Sequence, residues 1–154
     1  LRSNATMLYG HVETPEERVD HLMRLRQTQD ESGGFLAFVP LAFQPEHNEL
    51  SHLPRTTGVT DLQVLATSRL MLDNFPHIRQ LWNYVDEKLI HVALDFGVDD
   101  LGGTNFDEII AKAAGSQSKG FTHAELVNLI RACHCEPVEV NSTYTPIQKE
   151  CLVA

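Results

Sequence analysis

Short unbroken apolar runs recur along the chain, each followed by a stretch in which apolar residues return every three or four positions. Ala5 to Tyr9 is the first run, ends at Gly10 and predicts a short strand. Thr14-Pro15-Glu16-Glu17 combines a Thr cap, a proline at the first helical position and a Glu three residues past the cap, so a helix opens there. Val19, Leu22, Met23 and Leu25 share one face of it, with Glu16, Arg18, Arg24 and Asp30 left for solvent, and Gly33-Gly34 stops it. Phe35 to Val39 is a continuous apolar run between glycines and Pro40, the pattern of a strand covered on both faces, as in a parallel sheet.

From Pro40 to Gly58 the chain is polar and punctuated by proline, which predicts a long loop. Thr60-Asp61-Leu62-Gln63 reads as a capping box, and Leu62, Leu65, Ala66 and Leu70 predict a helix with a buried apolar stripe, stopping near Asn74 before Pro76. Ile78 to Trp82 predicts a third strand, Asp86 to Phe96 a helix closed by Gly97, and Val98 to Leu101 a short fourth strand turned by Gly102-Gly103. A helix from Asn105 to Gly115, one from Thr122 to about Cys133 and a last short strand over Pro137 to Val140 complete the pattern. The fold class is α/β: about four parallel strand-helix units joined by right-handed crossovers. A complete barrel of such units takes about 250 residues, so four are half of a (β/α) TIM-type barrel; an open doubly wound sheet is the alternative.

With 154 residues, 42% apolar and 21% charged, the chain is long enough for one packed domain and is not disordered. Its formal net charge of -9 argues against nucleic acid and anionic membrane as partners, because tracking phosphates needs clustered Lys and Arg. With no apolar stretch near 20 residues and no signal-peptide pattern, the sequence predicts a cytoplasmic protein that is not membrane-bound. Cys133, Cys135 and Cys151 are read as free thiols, since Cys133-His134-Cys135 is too tightly spaced for a zinc pair.

Ligands of parallel sheets meet the C-terminal ends of the strands. Those ends carry Gly10-His11-Val12-Glu13, Pro40 to Gln44, Trp82-Asn83-Tyr84 and Asp99 to Thr104. Gly10 permits close approach to the backbone, and His11 and Glu13 can hydrogen-bond or exchange protons there, or else cap the next helix. Asp99, Asp100 and Thr104 have the same double reading, as ligand contacts or as turn residues beside two glycines. His47 and His52 read as solvated loop residues. Arg2, Arg55 and Arg69 are chemically suited to bind a carboxylate.

The stretches ATMLYGHVETPEERVDHLMRLRQTQDESGGF, FVPLAFQPE, TSRLMLDNFPHIRQLW and ALDFGVDDLGGT together resemble, in order, blocks of the radical S-adenosylmethionine enzymes of menaquinone and deazaflavin biosynthesis. The resemblance runs from about Leu1 to Tyr144, and Leu41 to Glu46 is most similar to the aminodeoxyfutalosine-forming branch. It implies a barrel holding a [4Fe-4S] cluster and S-adenosylmethionine at its mouth. In that branch a 5′-deoxyadenosyl radical adds to the small-molecule substrate 3-[(1-carboxyvinyl)oxy]benzoate. Branches using dehypoxanthine futalosine or tyrosine are the alternatives, as is a non-catalytic half-barrel that binds a partner. Thr6-x-Leu8-x-Gly10-x-x-Glu13 is similar to the family's GxIxGxxE pattern, which implies that Gly10, Glu13 and Thr6 contact the adenosyl group, although Thr6 replaces the first glycine. From the strand ends and side-chain chemistry, His11 is the candidate catalytic residue, and Asp100, Thr104 and Arg69 are the candidate substrate contacts. The family's CxxxCxxC cluster motif does not occur in this sequence, and the chain starts inside a strand without an initiator Met. The expectation is therefore a C-terminal half-barrel (1–144) with a tail (145–154), inactive alone, binding no cofactor alone, and needing its N-terminal half or self-association to close.

Overall fold

A computed structural model describes residues 1–82, 84–85, 87–104, 113 and 121–147. Strand β1 (Ser3–Tyr9) leads through Gly10 into α1 (Pro15–Ser32). The predicted capping box is formed: Thr14 accepts from the Glu17 N–H while the Glu17 carboxylate accepts from the Thr14 N–H. Gly33 ends α1 in the left-handed conformation, at φ 58°. Strand β2 (Phe35–Ala42), helix α2 (Gly58–Met71), strand β3 (His77–Ile78), helix α3 (Glu87–Ala93) with a 3₁₀ turn (Leu94–Phe96), and helix α4 (His123–Ala132) follow. The predicted helix over 105–115, the caps at Asp86 and Asn105, Asn83 and Cys151 lie outside the described residues.

β1, β2 and β3 form a parallel sheet in that order, with Ala5 opposite Phe38, Tyr9 opposite Ala42, and Phe38 opposite Ile78. The fourth strand is reduced to a parallel bridge between Arg79 and Asp100, secured by the Gln80 N–H to Asp100 O at 2.9 Å and the Asp99 N–H to Ile78 O at 3.2 Å. The architecture is thus three to four parallel β/α units, consistent with a partial (β/α) barrel.

Several boundaries differ from the sequence pattern. β2 runs through Pro40 because β3 pairs only with Ala37 and Phe38, so the missing N–H of Pro40 breaks no bond on that side. β3 is shorter than Ile78 to Trp82, and Pro137 to Val140 forms an antiparallel bridge from Val140 to Pro146 rather than a strand. Helix α2 starts one turn earlier than Thr60: Thr57 is the N-cap and accepts from the Thr60 N–H at 3.2 Å.

One face of the sheet, with Ala5, Met7, Tyr9, Phe38, Ala42 and Ile78, packs on Leu22, Val64, Leu65, Leu72 and Ile90 of the helix layer and adjoining turns. The buried stripe of α1 falls on Leu22 and Gln29 with Leu25 beside them, so Val19 and Met23 stand about a quarter-turn off it, exposed. Gln29 closes the gap at the start of β2, accepting from the Phe35 N–H at 2.9 Å and donating to Phe35 O at 3.0 Å. On α2 the stripe is Asp61, Val64, Leu65 and Ser68, and Leu70 points to solvent at 81% exposure, against the expectation of a core leucine. No described helix is long and apolar enough to cross a membrane.

Candidate functional site

The C-terminal end of β1 makes a tight turn built by one carboxylate. Glu13 accepts from the Gly10 N–H at 2.6 Å and the His11 N–H at 2.9 Å, and from Arg18 Nε at 2.8 Å. Burial works against the charge, but the N–H groups of Gly10 and His11 outweigh it and hold the Glu13 carboxyl below its ordinary value. Gly10 sits at φ 87°, and a β-carbon there would stand 2.1 Å from the Thr56 methyl of the 43–57 loop. Glycine is required both by the turn and by the loop pressed on it.

His11 leans edge-on toward Phe43, with ring centroids 5.9 Å apart. The Val12 N–H donates to His11 Nδ1 at 2.7 Å and the same nitrogen lies 3.2 Å from Glu13 Oε2, so the ring is held against the turn through its Nδ1 edge. Beneath this turn the buried Tyr9 hydroxyl donates to Asp61 Oδ1 at 2.8 Å, tying β1 to α2. Burial raises the Asp61 carboxyl above its ordinary value, against the pull of the Tyr9 and Thr56 hydroxyls. Gln44, at the end of β2, donates to Ala42 O at 3.3 Å and to Tyr84 O at 3.1 Å, joining the second and third strand ends. His47 and His52 are exposed, as expected for solvated loop residues.

The sheet face turned away from the helices carries a second cluster. Pairing puts Asn4, Ala37 and His77 on that face, Thr6 with Val39, and Leu8 with Leu41. Two residues on from His77, Arg79 donates from Nε to Asp100 Oδ2 at 2.6 Å, and the Tyr144 hydroxyl donates to the same oxygen at 2.5 Å. Asp100 Oδ1 accepts from the Gly102 N–H at 2.7 Å and so shapes the turn leading to Thr104, while Trp82 Nε1 holds Gly103 O at 3.0 Å. Burial disfavours the Arg79 charge, yet the Asp100 carboxylate more than compensates and raises its pKa.

Among the sequence candidates, Gly10, His11 and Glu13 come together in one turn, with Thr6 exposed on the strand that leads to it. Asp100 and Thr104 belong to the fourth strand end. Arg69 meets the same segment from α2, donating to Gly97 O at 2.7 Å and to Asp99 Oδ1 at 3.0 Å, one residue before Asp100, rather than to Asp100 or Thr104. Arg55 pairs with Glu46 across the 43–57 loop. Sequence reasoning missed Arg79, His77 and Tyr144. The only available signal was the alternation of His77, Arg79 and Leu81 along the third strand, which places them on one face.

Cys133 lies beside His91, with its thiol 3.4 Å from His91 O, on the helix layer and not at the strand ends. Among the described residues no three His, Cys, Asp or Glu side chains gather as a metal ion would require.

The family model for the CofH/MqnC C-terminal region matches residues 32–151. The chain is 49% identical over 153 residues to the aminodeoxyfutalosine synthase of Thermus thermophilus, spanning 96% of this chain and 41% of that protein. It is 37% identical over 157 residues to the aminodeoxyfutalosine synthase of Streptomyces coelicolor, with 94% and 40% covered. It is 35% identical over 156 residues to the 5-amino-6-(D-ribitylamino)uracil–L-tyrosine 4-hydroxyphenyl transferase of Methanococcoides burtonii, with 96% and 44% covered. The chain therefore spans about two-fifths of the length of these relatives.

Proposed function

The chain belongs to the CofH/MqnC C-terminal region family of radical S-adenosylmethionine enzymes, and from that premise we propose that it forms the C-terminal half-barrel of an aminodeoxyfutalosine synthase. The observation that supports the reading is the 49% identity to the Thermus enzyme over 153 residues, against 45% over 125 residues and 35% over 156 residues to the L-tyrosine 4-hydroxyphenyl transferases of Methanoculleus marisnigri and Methanococcoides burtonii. The substrate on this reading is 3-[(1-carboxyvinyl)oxy]benzoate, and the transferred group is 5′-deoxyadenosyl.

The described residues do not fit an iron–sulfur cluster, since Cys133 and Cys135 stand away from the strand ends, and no step is assigned to one here. The adenosyl part of S-adenosylmethionine is assigned on this reading to the Gly10-His11 turn, supported by the two N–H bonds that Glu13 makes there and by Thr6 and Leu8 standing exposed on the strand that leads to it. When bound, S-adenosylmethionine supplies the adenosyl group and homolytic carbon–sulfur chemistry. Glu13 acts by holding the Gly10 and His11 backbone in shape, so that adenosyl contact falls to the turn itself and to Thr6. His11 turns its Nε2 edge to the substrate, and the 101–104 turn with Thr104 closes the other side. Arg69 acts through the start of the fourth strand. The exposed side of β1 takes the remaining half of the barrel, which excludes water from the chamber.

The test is anaerobic reconstitution of the complete protein and assay with S-adenosylmethionine and each of three acceptors. Aminodeoxyfutalosine formed from the enolpyruvyl benzoate is the expected product. Turnover of dehypoxanthine futalosine or tyrosine in its place would move the protein to another branch, and no turnover of any would favour a non-catalytic half-barrel.

A further inference from the structure

The segment after α4 places one side chain where the helix layer cannot reach. Tyr144 is separated from Asp100 by 44 positions, yet its hydroxyl donates to Asp100 and accepts from Arg79 at 3.1 Å. Its ring stacks on His77, with centroids 3.8 Å apart and planes within 9°. His77 pairs with Ala37 on the face away from the helices, so Tyr144 enters that face at the end where β3 begins.

The backbone of Tyr144 is left-handed, at φ 60°, a conformation that costs a side-chain-bearing residue about 1–2 kcal/mol. A dedicated turn holds it there. The Asn141 side-chain oxygen accepts from the N–H groups of Thr143 and Thr145, each at 3.0 Å, and the Tyr144 N–H donates to Asn141 O at 3.0 Å. Strain that is this firmly imposed, with the hydroxyl and the ring committed to a single cluster, points to a role for the side chain and not to a passing contact.

Asp100 is what the cluster controls. Arg79 and Tyr144 both engage Oδ2, which leaves Oδ1 aimed at the Gly102 N–H. Gly102 has φ 73°, and a β-carbon there would lie 3.1 Å from Leu81, so the turn depends on glycine at this position. We infer that Tyr144 is a positioning residue: stacked on His77, it orients the Asp100 carboxylate, and through Oδ1 it holds the 101–104 turn in the shape that receives the small-molecule acceptor. Arg79 and the Tyr144 hydroxyl share the hold on Oδ2, so loss of the hydroxyl leaves that oxygen with Arg79 alone and loosens the carboxylate that the Gly102 N–H depends on.

The substrate-facing part of this inference rests on the proposed function, and the experiment separates the two. In the complete protein, Tyr144→Phe keeps the ring on His77 and removes only the hydroxyl. Hydrogen exchange of peptides spanning 99–104 is expected to speed up about tenfold, and the KM for the acceptor to rise about tenfold with kcat changed less than threefold. Exchange within twofold of wild type would overturn the inference, as would a lower melting temperature with KM unchanged. A wild-type protein that turns over no acceptor refutes the proposed function alone, because the exchange measurement still decides the coupling between Tyr144 and Gly102. Should Tyr144→Phe not fold, exchange in the wild type decides it. Segments 99–104 and 141–147 are expected to open at rates within threefold of each other, and tenfold faster opening of 141–147 while 99–104 stays protected would overturn the coupling.

Discussion

Removing the hydroxyl of Tyr9 tests how the mouth of the half-barrel is anchored. Tyr9 is fully buried, Asp61 is 5% exposed, and 2.8 Å separates the hydroxyl from Oδ1. Tyr9→Phe keeps the ring packing and removes one donor from a buried carboxylate. A hydrogen bond to a charged group contributes about 1.5–3 kcal/mol net, and one between neutral groups about 1 kcal/mol. Unfolding free energy at pH 7 is therefore expected to fall by about 2 kcal/mol. Burial already raises Asp61 above its ordinary value, and the Tyr9 hydroxyl pulls the other way, so the variant raises it further. A carboxyl raised in the folded state contributes stability that is complete below its unfolded pKa of ~4 and is lost as pH rises through the folded value. The cost of Tyr9→Phe should thus be about 1 kcal/mol near pH 4 and grow toward pH 7. Urea titrations followed by the single tryptophan, Trp82, which is 6% exposed, read both values. A cost that is flat from pH 4 to pH 7, or below about 0.5 kcal/mol at pH 7, would refute the anchoring argument.

Gly10→Ala adds a β-carbon 2.1 Å from the Thr56 methyl at a φ of 87°, and thermal unfolding should show a loss of about 2–4 kcal/mol, with the 43–57 loop opened to proteolysis. Glu13→Gln replaces a charged acceptor of two backbone N–H groups with an amide, costing about 1–2 kcal/mol at pH 7 by urea titration. Because the Glu13 carboxyl lies below its ordinary value, its stabilisation is present above ~4.3 and disappears as pH falls through the folded value, so wild type and variant should converge in acid. Leu8→Asp, at a site 49% exposed, should change the stability of this chain by less than about 0.5 kcal/mol but abolish S-adenosylmethionine cleavage by the complete protein.

Elements that are stated locally were legible in the sequence. Thr14 and Thr122 each carry their own cap and a Glu three residues on, so both helices start where the pattern placed them. At Thr57 two threonines stand three apart, and the one that caps is decided by where the 43–57 loop meets Gly10, a contact no local pattern contains. The Gly10-His11-Glu13 turn was readable for the same reason as the caps: its partners lie within three residues. The Arg79–Asp100–Tyr144 cluster joins residues 21, 44 and 65 positions apart, and its tyrosine is the last residue of the expected half-barrel, in a stretch with no apolar periodicity to place it. Only the pairing of the strands decides that Arg79 and Asp100 share a face.

The two faces of the sheet are finished to different degrees, and the difference has a direction. On the helix side β1 is complete: Ala5, Met7 and Tyr9 are 5%, 3% and 0% exposed. On the other side cover weakens from the centre outward, from Ala37 at 0% and Val39 at 5% on β2 to an exposed Thr6 and a Leu8 at 49% on β1. Tyr144 and the Arg79–Asp100 pair account for the covered end, being held against β3 and the fourth strand. Among the described residues β1 hydrogen-bonds to β2 alone, which leaves its second edge open. Parallel strands are stable when buried on both faces, so an edge with an uncovered leucine and threonine is the place where a further strand would be added. That edge also carries Thr6 and leads into the Gly10 turn. On the proposed function, the step that closes the barrel is therefore also the step that encloses the adenosyl group, and catalysis cannot precede it.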